Sequence, residues 1–295
     1  MKRIALVLIA VLIVSVFSGC DKYGGLDPNI DTVLKTENGE YYYESNKIKV
    51  ISQNIRHAND PAPNTRDERL PRIKKVLDSY NADIIGMQEV RNWWTLNLIK
   101  YELIDTYEDY TVNRGDGEGL SILWRKDKFE LMDCYHFWLS DTPDEQSIWE
   151  GSNYYRIVSW VKLKENKTGT EFYVFNAHFD TNADVRLRSS KLLIEKMKEI
   201  CGDTPSFVVG DFNMSDDSDE YNEMLTYFKD TAALFDDYSG TFHKYGTRTG
   251  DDLVRLDYCF VTDKTVVQSY KVMTDTVESK YLSDHYGIFI EMVLK

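Results

Sequence analysis

The chain has 295 residues, 42% of them apolar and 13% aromatic, enough to fill a sizeable hydrophobic core. Its 49 acidic residues outnumber 35 basic ones, a net charge of −14 at pH 7. With no cationic block, that balance tilts away from a protein gripping long duplex nucleic acid through counterion release, although a bound metal and local arginines can still dominate near one scissile phosphate.

Met1-Lys2-Arg3 precedes an apolar run from Ile4 to Phe17, followed by Ser18-Gly19-Cys20. The run is shorter than the roughly 20 residues a membrane span needs, so it reads as a secretory signal. Small residues directly before a cysteine resemble a bacterial lipoprotein signal, which implies cleavage before Cys20, lipid on Cys20 and an exported, membrane-anchored protein. Residues 1–19 are then a signal peptide. Residues 20–45, with Gly, Pro, Asn and Asp and no clear periodicity, read as a flexible tether. Residues 46–295 are expected to form one large domain. Removing residues 1–19 takes away Lys2 and Arg3 and no acid, leaving 33 basic against 49 acidic residues and a net charge of −16.

The domain opens with a strand at 47–53 that runs out into Asn54. Helical spacing follows at Leu70, Ile73, Val76 and Leu77, where Pro71 is tolerable only in the first turn. A strand at 83–88 ends on Glu89, a carboxylate too costly to bury uncompensated. A metal ion, or an ion pair with Arg56 or Arg91, resolves that cost. Strands at 120–125, 129–138 and 155–164 come next, the last carrying Arg156 near its start. The strand at 171–177 delivers His178, with Asp180 two residues on. A second helix places Leu187, Leu192, Leu193, Ile194 and Met197 on one side. The strand at 206–210 leads to Asp211 and Asn213, which alternate with Phe212 and so point to the opposite side from its ring. Helical spacing recurs at Tyr221, Met224, Leu225 and Phe228. Strands at 255–262, 266–273 and 285–294 complete the chain, with Asp257 in the first and Asp284-His285 at the start of the last. Two β-rich halves with helices outside predict a four-layer α/β sandwich, two packed, mainly antiparallel sheets flanked by helices.

The polar residues at these strand ends share a chemistry. Asn, Asp and Glu oxygens suit Mg²⁺, with Mn²⁺ as a substitute. A carboxylate such as Asp257 bonded to one ring nitrogen of His285 fixes the tautomer and raises the basicity of the other. Two histidines with different partners can hold different protonation states, as acid–base hydrolysis requires. Asp211 and Asn213 also fit an Asx turn after a buried strand. The clusters Arg72-Ile73-Lys74-Lys75 and Arg186-Leu187-Arg188 read as solvent faces of helices. Cys259 reads as a core residue, and Cys134 and Cys201 remain free to pair or not. Aromatics on the segment 138–155 read either as packing or as a stacking surface for a base, sugar or headgroup.

Gly210-Asp211-Phe212-Asn213, Arg255-Leu256-Asp257-Tyr258 and Ser283-Asp284-His285 follow, in order, an upstream Gln88-Glu89 and Asn176-Ala177-His178. This set resembles the endonuclease/exonuclease/phosphatase superfamily, which includes deoxyribonuclease I-like nucleases, exonuclease III-like repair enzymes, neutral sphingomyelinases and inositol polyphosphate 5-phosphatases. The resemblance spans residues 46–295. It implies that Glu89 is the main Mg²⁺ ligand, with Asn54 beside the metal and Asp284 as a second metal-site ligand or electrostatic partner. It further implies that Asp211 and Asn213 orient the attacking water and hold the phosphate. Asp257 orients His285, as general base or phosphate contact, and His178 faces the other side as donor or general acid. Arg156 matches a phosphate-holding arginine of some members. Thr181 departs from secreted bacterial relatives, which carry a histidine there.

The expected activity is Mg²⁺-dependent hydrolysis of a phosphate ester by metal-assisted water without a covalent intermediate. A small phosphodiester, sugar phosphate or lipid headgroup is the expected substrate, and the protein is expected to be a monomer. Two other readings stay open: an extracellular nuclease on DNA or RNA, and a surface binding module that has lost the chemistry.

Overall fold

A computed structural model describes residues 33–35 and 41–295; the predicted signal peptide, the lipidation site Cys20 and most of the tether lie outside the described residues. Two six-stranded mixed sheets pack face to face. The first has β3 (Lys47–Asn54), β4 (Ile84–Arg91), β5 (Tyr107–Asn113), β6 (Glu118–Arg125), β13 (Thr265–Met273) and β14 (Gly287–Leu294), in the order β13-β14-β3-β4-β6-β5. The second has β7 (Phe129–Trp138), β8 (Ile157–Glu165), β9 (Glu171–His178), β10 (Ser206–Asp211), β11 (Lys229–Asp230) and β12 (Asp257–Val261), in the order β11-β12-β10-β9-β8-β7. A small ribbon of β1 (Val33–Lys35) and β2 (Tyr41–Tyr43) stands apart from both sheets. Part of the segment read as tether is therefore strand.

The layers follow from the burial pattern. Ile48, Val50, Ile84 and Trp124 of the first sheet meet Val161, Val174, Phe207 and Val209 of the second in a central core. The outer face of the first sheet packs Ile51, Ile85 and Leu123 against Ile73, Val76 and Leu77 of α1 (Arg66–Tyr80). The outer face of the second packs Val158, Phe175, Val208 and Phe260 against Leu193, Ile194 and Met197 of α3 (Ala183–Cys201). This is the four-layer α/β sandwich expected from the sequence.

Two connections position the site. In each sheet one pair of strands is parallel, β3 with β4 and β9 with β10, and each pair is bridged by a long helix, α1 or α3. Parallel neighbours joined by a helix end at the same edge, where sites commonly form. Asn54 is paired with Gln88, and Asp211 sits between His178 and Asp257 in register. Thr65 and Glu68 cap α1 reciprocally, and Asn182 accepts from the Asp184 and Val185 amides at the start of α3.

A polar seam joins the sheets beneath that edge. Gln88 Nε2 donates to Asn176 Oδ1 (2.8 Å) and Ser52 Oγ (3.1 Å), while Asn176 Nδ2 donates to the carbonyls of Met87 (2.9 Å) and Ser121 (3.0 Å). Gly86 lies over the same spot, and a Cβ there would come within 2.5 Å of Val209. Buried polar groups stripped of partners cost about 1–3 kcal/mol each. Asn176→Leu is therefore expected to destabilise the fold by about 2–5 kcal/mol, read by urea denaturation.

Several local expectations need correction. Helix α1 begins at Arg66, so Pro71 falls in the second turn, on an exposed face. Arg72 is buried rather than solvent-facing, and donates to the carbonyls of Tyr281 (2.9 Å) and Pro63. Arg186 pairs with Glu220 at 2.5 Å, and Arg188 lies over the Trp149 ring. Strand β5 and the helical segment formed by α2 (Asn92–Trp94) and a π-helical turn at Thr95–Leu103 were not anticipated. Of the readings left open, Trp138 and Trp149 belong to the core and Cys134 and Cys201 are free thiols, while Cys259 is fully buried, as expected.

Candidate active site

Asp211 occupies the centre of the edge where the strands end. It is 2% exposed, and its Oδ2 accepts from Asn54 Nδ2 at 2.9 Å. His178 Nε2 lies 3.7 Å from that oxygen and His285 Nε2 lies 3.8 Å from it. His285 Nδ1 is bonded to Asp257 Oδ2 at 2.9 Å, the pairing expected from the sequence. On the far side, His178 Nδ1 lies 3.8 Å from Glu118 Oε1. Acid and imidazole thus alternate across the site in the order Glu118, His178, Asp211, His285, Asp257.

The two imidazoles have opposite environments. Burial and then the Arg156 charge push His178 well below the usual histidine range. Burial acts in the same direction on His285, but the charges of Asp257 and Asp211 outweigh it and lift this ring to about 10. Burial raises Asp211 to about 7, against the pull of His285 and the Asn54 hydrogen bond. Titratable neighbours pushed apart in this way divide the proton-bearing and proton-accepting tasks between them.

Glu89 sits where β4 and β6 slip register between Met87 and Val90, with a left-handed φ of +61°. That bulge turns its carboxylate off the sheet and into the site. Oε1 accepts from Asn54 Nδ2 (3.1 Å), and Oε2 accepts from the His57 amide (2.9 Å) and lies 2.5 Å from His57 Nδ1. Burial opposes its charge, yet the His57 contacts hold it well below the ordinary carboxylate range. Arg56 is not its ion-pair partner, since it lies 3.3 Å from Asp60 and 3.6 Å from Asp284.

The remaining predicted residues divide into those that converge and those that do not. Asn54 turns its amide nitrogen to both Glu89 and Asp211, while its oxygen accepts from the Arg56 amide at 2.9 Å. Asn213 closes an Asx turn onto Asp211 Oδ1 (3.0 Å), and its side chain donates to Phe179 O (3.0 Å). Asp284 faces Arg56 instead of joining the group around Glu89. Asp180 does not support His178; it accepts from Ser152 (2.6 Å) and from the Asn182 amide (2.9 Å).

Arg156 is 6% exposed, and its Nε and Nη1 have no hydrogen-bond partner. Its guanidinium lies against the Tyr154 ring, 3.9 Å from Glu118 and in the same small cavity as Arg114 and His178. Buried donors without acceptors are costly, and an anionic oxygen is the chemical match for them.

Three residues of the site escaped the sequence reading: His57, Glu118 and Arg114. Glu118 opens β6 inside the turn-like run Gly115-Asp116-Gly117-Glu118-Gly119, and Arg114 Nη1 binds its Oε1 at 2.9 Å. His57 lies just beyond the Asn54-Ile55-Arg56 motif. Donor atoms of His57, Glu89 and Glu118 all lie within 4.8 Å of one another. Arg114 already compensates Glu118 at Oε1; Glu118 Oε2, Glu89 Oε2 and His57 Nδ1 together form a hard oxygen–nitrogen donor set that fits a divalent metal.

A model of the Endonuclease/Exonuclease/phosphatase family matches residues 51–285. The crystal structure of an endonuclease/exonuclease/phosphatase from Bacteroides vulgatus is similar at a TM-score of 0.78 and 31% identity, covering 84% of this chain and 99% of that one. The mannosyl-6-phosphatase of Bacteroides thetaiotaomicron VPI-5482 reaches 0.74 at 30% identity, covering 84% of this chain and 100% of the other. An uncharacterized protein of Acanthamoeba polyphaga mimivirus is 26% identical over 251 residues, 76% of this chain and 91% of that protein. Members of this family typically use a divalent metal, and the His57–Glu89–Glu118 cluster offers it donors. The fold, the edge-on acid–imidazole array and the family match agree: this chain belongs to the endonuclease/exonuclease/phosphatase family and is a phosphoesterase.

Proposed function

We propose that the protein hydrolyses a small phosphate monoester, a phosphorylated sugar being the favoured class. The observation that carries this reading is the buried Arg156, whose unpartnered donors share a small cavity with Arg114, Glu118 and His178 and call for an anionic oxygen. The acidic balance of the chain and its similarity to a mannosyl-6-phosphatase support a small substrate over a polymer.

A divalent cation held by Glu89 and its neighbours would neutralise phosphoryl charge when bound. The chain's own groups supply the rest. Arg156 holds the non-bridging oxygens, and Asp211, fixed by Asn54, aligns the attacking water and accepts its proton. His285, kept cationic by Asp257, offers its Nε2–H to the developing charge. Neutral His178 is placed to hydrogen-bond the oxygen of the departing alcohol.

The test is phosphate release from a panel of sugar phosphates, with bis(p-nitrophenyl) phosphate and supercoiled plasmid alongside, in Mg²⁺ with and without EDTA. Metal-dependent phosphate release from a sugar phosphate with plasmid left intact is expected. Nicking of plasmid with no release from any sugar phosphate would overturn the proposal in favour of a nuclease. Inactivity of folded protein on the whole panel would favour a binding module. Arg156→Ala is expected to raise KM about 10- to 100-fold with a smaller change in kcat, as steady-state kinetics would show.

We also propose that the enzyme works outside the cytoplasm, tethered by lipid at Cys20. Cys20→Ser is expected to abolish labelling with a palmitate analogue and to move the protein from the membrane to the soluble fraction.

A further inference from the structure

We propose that His57 and Glu118 join Glu89 in a mixed nitrogen–oxygen cation site that binds Mn²⁺ in preference to Mg²⁺. This inference rests on the reading of the protein as a divalent-metal phosphoesterase and adds which donors hold the cation. His57 Nδ1 lies 2.5 Å from Glu89 Oε2 and 3.3 Å from Glu118 Oε2. Donors about 2.1 Å from a common ion are themselves roughly 3–4 Å apart, so the three need little movement to close on one.

The three residues come from neighbouring strands of one sheet. His57 follows β3, Glu89 sits at the β4 bulge and Glu118 opens β6. The loop carrying His57 is held from behind. Fully buried Arg69 donates to the carbonyls of Ile55 (2.5 Å), Arg56 (3.0 Å) and Ala58 (2.6 Å), and Trp94 Nε1 donates to Arg56 O (3.1 Å). A backbone fixed on both sides of His57 sets its half-buried ring against the two carboxylates. Such support is what a ligand position requires.

Glu118 has a plainer role available, as counter-ion to Arg114 at 2.9 Å. That contact uses only Oε1. The other oxygen faces His57. A separate feature marks the cluster as unfinished: His178 is 7% exposed, its Nδ1 has no hydrogen-bond partner, and that atom points at Glu118 from 3.8 Å. Imidazole nitrogen favours first-row transition ions over Mg²⁺, and two carboxylates keep the site hard enough for Mn²⁺.

The experiment is pulsed electron paramagnetic resonance on the full protein loaded with Mn²⁺, with affinities for Mn²⁺ and Mg²⁺ from titration calorimetry. Modulation from a directly bound ¹⁴N is expected in the wild type, lost in His57→Gln and kept in His178→Gln. His57→Gln is expected to weaken Mn²⁺ binding about tenfold with little effect on Mg²⁺, and Glu118→Gln to weaken both. Thermal melting controls for folding of each variant. Mn²⁺ bound through Glu89 without ¹⁴N modulation, or with modulation that survives His57→Gln, would overturn this site and leave the phosphoesterase reading intact. Absence of any Mn²⁺ or Mg²⁺ binding would overturn both.

Discussion

Asp211→Asn is expected to lower kcat by about a thousandfold while leaving KM within a few-fold of wild type. The carboxylate lies within 4 Å of both imidazoles and accepts from Asn54, so it is the acceptor on which Asn54, His178 and His285 converge. An amide has nearly the same shape but only one accepting atom. If that atom stays on the Asn213 amide, two NH₂ groups confront each other across the 2.9 Å contact to Asn54. If it turns to Asn54, the Asx turn is broken instead. Either way the water loses its proton acceptor while the Arg156 pocket is untouched, so binding survives and turnover does not. Steady-state kinetics with a thermal melt on the same sample check this. A parallel loss in KM would mean that Asp211 holds substrate rather than water.

Asp230→Asn carries the largest expected stability effect, about 3–5 kcal/mol, or on the order of 10 °C in Tm. Arg255 and Asp230 form an ion pair whose side chains are 2% and 1% exposed, and Tyr221 donates to the same carboxylate oxygen at 2.9 Å. The guanidinium lies against the rings of Tyr221, Tyr238 and Tyr258, and its Nε and Nη1 have no hydrogen-bond partner. Without the carboxylate, a full positive charge would remain among those rings with only the partly exposed Asp216, 3.8 Å away, as counter-charge. Removing one partner of a buried pair costs far more than the pair itself contributes. Arg255 precedes Asp257 by two residues, so loss of the pair is also expected to loosen the hold on His285. Urea denaturation at neutral pH gives the stability. An unchanged midpoint would show that Asp216, 3.8 Å from Arg255, takes over the charge.

The candidate site residues that could be read from the sequence share a property: each stands at an end of a buried apolar strand, where a polar residue stands out. Asn54, His178, Asp211 and Asp257 are of this kind; strand register sets the last three side by side, and sheet packing brings Asn54 against Asp211. Glu118 and His57 lack that contrast. Glu118 is one acid in a glycine-rich turn, and its closeness to Glu89 depends on β4 and β6 being neighbours with a bulge between them. No local pattern encodes that adjacency. Arg72 misled for a related reason, because a basic residue within Arg-Ile-Lys-Lys looks solvated until the Tyr281 carbonyl is seen beneath it. Strand β5, with Glu108 and Asp109 near its start, is an edge strand whose outer side has no strand partner among the described residues, and its sequence carries little apolar alternation. Gln88 and Asn176 were legible as motif letters only. Their work is structural, in the seam.

That seam has a consequence for how the enzyme switches on during its own folding. Glu89 and Asn54 stand on one sheet, Asp211 and His178 on the other. Neither half contains a complete site, and the Gln88–Asn176 contact is the dowel that aligns them. Activity should therefore emerge only once the two sheets are mated. In a refolding experiment it would lag the far-ultraviolet signal of the strands, and turnover would serve as a stopwatch for the last step of assembly.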